Sequence, residues 1–157
     1  MGNKVLVLIM MLSAFAAHSQ TDWNHVVDED IATMSKVHVL VGGSEVHRGA
    51  LSDPFVVVRE NGWQIEAYVN FGGYRIDRDI TMIMWIDPSG GEGILEGRLS
   101  QSGKSIFVDD DETFMNLLKD NSGNLVFAAV SQTGRDMIGR WSFENFSEAY
   151  TSFNSKE

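Results

Sequence analysis

The stretch that most constrains this chain is Phe55 to Asp87, FVVVRENGWQIEAYVNFGGYRIDRDITMIMWID. Phe55 to Arg59 is almost continuously apolar, as expected of a central strand covered on both faces. Asn61-Gly62 is a tight-turn signal, because both residues tolerate positive φ. Ile65, Ala67 and Val69 then alternate with Gln64, Glu66 and Tyr68, giving one apolar and one polar face. Gly72-Gly73 permits a sharp corner. Beyond it Ile80, Met82, Met84 and Ile86 alternate with Thr81, Ile83 and Trp85, and this strand too is expected to be covered on both faces. Three such runs can form a three-stranded antiparallel sheet, enough to nucleate a core.

The rest of the chain continues the pattern. Asp22 to Met34 reads as a polar lead-in, and Val37, Val39 and Val41 alternate as a first strand that Gly42-Gly43 ends. Ile94 to Ser100, Ser105 to Val108, Leu125 to Val130 and Met137 to Phe143 read as further strands. The period changes once: Phe114, Leu117 and Leu118 lie on one helical face behind the acidic run Asp109 to Glu112. Glu144 to Tyr150 reads as one or two helical turns. The expected fold is mainly β, an antiparallel β-sandwich of about seven to eight strands with one short α-helix. A length of 157 residues suits one domain.

The N-terminus, MGNKVLVLIMMLSAFAAHSQ, has the layout of a secretory signal. Lys4 supplies the positive end, and Val5 to Phe15 is an apolar run too short to span a bilayer. Cleavage after Ala16 or after Ser19 fits the small residues there. With residues 1–19 removed, the expectation is a single domain over residues 20–157, periplasmic or secreted and not membrane-spanning. Loss of Lys4 takes the net charge from −10 to −11. That charge argues against nucleic acid or an anionic membrane surface as partner. There is no cysteine, hence no disulfide and no thiolate chemistry.

No segment carries a convincing catalytic motif, and the expectation is a protein without enzymatic activity or cofactor. Asp109 to Glu112 lacks the spaced Asp-x-Asp-x-Asp-Gly pattern of a calcium loop and suits a helix N-terminus, where free N–H groups favour acids. Gly90-Gly91-Glu92-Gly93 precedes a strand rather than a helix, so it reads as a turn and not a phosphate cradle. His25, His38 and His47 show no helical metal-ligand spacing, and no metal site is expected. No Gly-x-Ser-x-Gly elbow marks a serine nucleophile. Arg75, Asp77, Arg78 and Asp79 alternate in sign and are expected to pair on the surface. Asn145-Phe146-Ser147 fits a glycosylation acceptor. The candidate binding residues are aromatic: Tyr68 on the polar face of its strand, Trp85 interrupting its strand's pattern, and Trp63 at the turn. Exposed aromatics anchor protein partners or glycans.

One further feature is the order of the segments: Trp23, the Val37–Val41 strand, Asp53-Pro54-Phe55-Val56-Val57-Val58-Arg59, Asn61-Gly62 and Glu66-Ala67-Tyr68-Val69. Tyr74-Arg75-Ile76-Asp77, Leu99-Ser100-Gln101-Ser102-Gly103-Lys104 and Phe114-Met115-Asn116-Leu117-Leu118 follow, before a final hairpin. This order resembles the type VI secretion-associated VasI/TagO family of exported proteins from Gram-negative bacteria, over roughly Trp23 to Ala149. Glu60 stands where many relatives have Cys, so this would be an outlying, cysteine-free member. The resemblance implies a periplasmic accessory role, acting by protein–protein contact in the cell envelope. The alternative is a periplasmic β-sandwich binding or inhibitor module without catalytic activity.

Overall fold

The computed structural model describes residues 22–30, 35–61, 64–121 and 123–155. The segment read as a signal peptide and Trp63 lie outside the described residues. Ten strands and two helices follow in order: β1 (Trp23–Asp30), β2 (Ser35–Gly43), β3 (Val46–Arg48), β4 (Phe55–Asn61), β5 (Gln64–Asn70), β6 (Met82–Ile86), β7 (Glu92–Leu99), β8 (Ser105–Val108), α1 (Asp111–Asp120), β9 (Asn124–Val130), β10 (Asp136–Ser142) and α2 (Phe146–Ser155). The strands form one antiparallel sheet in the order β1-β2-β4-β5-β8-β7-β6-β9-β10-β3, curled into a half-barrel.

The mainly β expectation stands, but the architecture is not a sandwich of seven to eight strands. The reason lies in β7. Its first part, Glu92–Glu96, pairs with β6, and its last part, Gly97–Leu99, pairs with β8. A strand that serves two neighbours in succession joins what would otherwise be two sheets, and the sheet turns a corner there. The switch falls at Gly97. A Cβ on Gly97 would lie 2.3 Å from the Phe107 carbonyl oxygen, so only glycine lets β8 approach this closely.

Other departures have equally local causes. The described part of the supposed polar lead-in forms β1, paired residue for residue with β2 from Trp23 opposite Gly42 to Asp30 opposite Ser35. Gly42 does not end β2. It provides the flat bed on which the Trp23 indole lies, 2.5 Å from where a Cβ would be. Trp85 lies in the same way on its cross-strand partner Gly93, and Trp141 lies on Gly139. Phe55 to Asp87 is not one three-stranded sheet. β4 and β5 do pair, out to Asn61 opposite Gln64, but β6 joins β7 and β9 at the far side of the curl.

The concave face holds the main core. Leu40, Val56, Val58, Val69, Ile83, Ile106, Phe127 and Trp141 meet Phe114 and Leu118 of α1 and Phe146 and Phe153 of α2. Asp110 caps α1 by accepting from Thr113 N at 2.9 Å, as its acidic approach leads one to expect. Its bonds with Thr113 hold the carboxyl below its usual range. Asp111 accepts from Ala67 N at 2.8 Å, supplying a partner just beyond the end of the β5–β8 pairing.

The two ends of the curl are tied together. Trp141 Nε1 donates to Gly42 O at 2.9 Å, and Trp23 Nε1 donates to Ser142 O at 2.8 Å. The Asn145 amide takes both backbone groups of Trp23: Oδ1 accepts from its N–H at 3.0 Å, and Nδ2 donates to its carbonyl at 2.9 Å. One side chain thereby does at Trp23 what a neighbouring strand would do. The same amide is the one read as a glycosylation acceptor, and here it is engaged inside the fold.

Candidate functional site

Tyr68 shares a face with Glu66, as its alternation implies, but the face is covered. Tyr68 is 6% exposed, with its ring 4.9 Å from that of Phe107, in a satellite cluster with Val37, Val39 and Val57. Burial pushes its hydroxyl pKa above the ordinary value. The Arg59–Glu66 ion pair lies on the same face. Trp85 points to the concave side beside Ile83 and packs against the main core, partly buried. Neither aromatic projects as a free anchor, and the two sit in different halves of the curl.

The exposed apolar surface lies elsewhere. Because Ile83 and Trp85 take the concave face of β6, the residues between them face out. Met84 is 38% exposed, Ile86 48% and Ile94 60%. Register places them side by side. Ile94, Met84, Ala128 and Ile138 form one row across β7, β6, β9 and β10, and Ile86 and Val126 are partners in the next row. Directly opposed side chains in such rows stand about 5 Å apart and present one continuous surface. Glu92 and Glu96 flank Ile94 along β7, and Arg48 is the partner of Ile138 on the other side. The sequence held a signal for this surface: both alternating sets of β6 are apolar, so one had to face away from the core unless a second layer covered it.

A polar cluster ties α2 to the first two strands. His25 Nδ1 lies 2.8 Å from Ser152 Oγ, and His25 Nε2 lies 3.0 Å from His38 Nδ1. The two imidazoles stack, and Phe153 meets His25 edge-on. A serine on a histidine held by a second group has the outline of a nucleophile relay. Ser152 however lies within a helix, whose backbone N–H groups are used by its own ladder and leave no adjacent donor pair for an oxyanion. The cluster is better read as a clasp. Among the described residues, no group of three or more His, Cys, Asp or Glu could hold a metal ion. No helix among them is long and apolar enough to cross a membrane.

The clasp has a pH dependence with a definite sign. Burial, and then the neighbouring His38, push the His25 pKa below its ordinary 6.5. The unfolded chain therefore takes up the proton first as pH falls. The clasp's contribution is complete above pH 6.5 and is lost as pH drops from there through the lower folded pKa. The urea midpoint of the wild type is expected to fall between pH 7.5 and 5.5 by more than that of His25→Gln. Equal falls would remove the clasp from the account.

No protein-family model matches the chain, and neither a curated protein nor a solved structure matches it.

Proposed function

We propose that this chain is an exported envelope protein that acts by protein–protein contact, as an accessory to a secretion machine, through the convex face of β6, β7 and β9. The observation that carries the contact reading is the exposed row around Met84, Ile86 and Ile94. Contiguous exposed apolar surface with a polar rim marks interaction sites in folded proteins. The rim specifies the partner's chemistry. Glu92 and Glu96 call for cationic groups on one side of an apolar centre, on a protein surface rather than an anionic lipid or nucleic acid, which the net charge of −10 would repel. The secretion context rests on the segment order and the signal-like N-terminus.

The test is substitution on the convex face. Met84→Lys with Ile94→Lys is expected to leave the unfolding midpoint nearly unchanged, since exposed positions shift stability by about 0.5 kcal/mol or less. It is expected to abolish co-purification of the secretion-machine subunits with the tagged chain from envelope extracts. Undiminished co-purification by the folded double variant would remove this face from the reading.

A further inference from the structure

Three turns converge at one end of the curl: residues 71–79, residues 100–104 between β7 and β8, and residues 131–135 between β9 and β10. Backbone bonds lock them together. Ile76 N donates to Gly103 O at 2.8 Å, Gln132 N donates to Arg75 O at 2.8 Å, and Ile76 forms a β-bridge with Ser131. Between them lies a cavity of about 180 Å³. Arg75, Arg78, Ser100, Ser102 and Gln132 line it over Ile76, and no carboxylate is among its lining residues.

The charges here run against the rest of the molecule. The chain has 22 acids to 12 Lys plus Arg, yet these three segments carry four cations, Arg75, Arg78, Lys104 and Arg135, against Asp77 and Asp79. The sign alternation of Arg75 to Asp79 leads one to expect surface pairing. Instead Asp77 accepts from Asp79 N at 2.9 Å. Among the described residues, Arg59, Arg98 and Arg140 each pair with a carboxylate, whereas neither Arg75 nor Arg78 has one within 4.0 Å. Arg135 stacks on Tyr74, 5.4 Å from the ring centroid, which keeps its charge beside the same corner. Ser100 Oγ and Ser102 Oγ lie 3.1 Å apart at the rim.

We infer that this cavity is a binding site for a small phosphate-class dianion, inorganic phosphate or a phosphate monoester. Two guanidiniums without carboxylate partners match a double negative charge. Guanidinium forks are donors that tetrahedral oxyanions accept, and the bonded Ser100–Ser102 pair keeps one hydroxyl hydrogen to add. A carboxylate would use one fork and leave the other unmatched. The cavity holds a headgroup, not a polymer, and lies apart from the convex face, so the inference does not depend on the contact reading.

The experiment is titration of the full-length chain with inorganic phosphate, followed calorimetrically at constant ionic strength, with acetate and chloride as comparison anions. Saturable phosphate binding is expected, at least tenfold tighter than acetate and weakening with salt. Arg75→Gln and Arg78→Gln are each expected to weaken it at least tenfold, with unfolding midpoints unchanged because both side chains are exposed. Glycerol 3-phosphate is expected to compete, since a monoester retains the dianion. Absence of saturable binding, equal affinity for acetate, or binding indifferent to both arginine variants would each overturn the inference.

Discussion

Trp23→Ala is expected to lower the unfolding free energy by about 3–5 kcal/mol, the range for deleting a buried aromatic. Trp23 is 2% exposed, and three independent contacts converge on it. Its indole lies flat on Gly42, its Nε1 holds Ser142 O, and its ring meets Phe146 edge-on at 5.0 Å. Phe146 begins α2, so the loss propagates to the helix. Because domains are stable by only about 5–15 kcal/mol, the variant is expected near the limit of folding. Urea unfolding measures the change, and amide exchange in α2 locates it. Asn145→Ala removes only the paired bonds to the Trp23 backbone and is expected to cost about 1–3 kcal/mol. A change below 1 kcal/mol for Trp23→Ala would mean that β1 is not locked across the mouth of the curl.

Gly97→Val is the second large effect. Overpacking in a core usually costs about 1–3 kcal/mol, because neighbouring side chains give way. Here the nearest atom is the Phe107 backbone oxygen at 2.3 Å, with Ile106 Cγ2 at 2.5 Å. Backbone yields only if β8 moves away, which breaks the pairing of Gly97 with Val108 and of Leu99 with Ile106. The expected cost is therefore at or above the top of that range, with Gly97→Ala somewhat less. Gly123→Ala is the control: among the described residues its added Cβ would meet only the Asn121 carboxamide oxygen at 4.0 Å, and its effect is expected within about 0.5 kcal/mol. Similar midpoints for Gly97→Val and Gly123→Ala would show that β7 does not carry the corner.

Most individual strands were legible because their causes are local. Val56, Val57 and Val58 are all fully buried, as an uninterrupted apolar run implies, and Asp110 caps α1 where acids precede an apolar helical face. Connectivity was not legible, because it depends on glycines whose meaning is set by distant residues. Gly42 reads as a strand end in sequence and Gly97 lies inside a strand, yet one seats Trp23 and the other seats β8. The face of β6 was ambiguous for a related reason. Both of its alternating sets are apolar, and what decides between them is that Trp85 finds Gly93 on the neighbouring strand. Tyr68 followed its alternation correctly, but the Phe107 that packs against it comes from β8, 39 residues away. The arginine cavity was hidden because its three turns meet only after the sheet curls.

The contact reading is tested most directly by photocrosslinking in the envelope. A photoreactive residue is placed at Ile94 on the convex face, and at Lys36 on β2 as the comparison. An adduct with a secretion-machine subunit is expected from Ile94, absent from Lys36 and lost when Met84→Lys is added. No adduct from Ile94, or equal adducts from both positions, would contradict the contact reading.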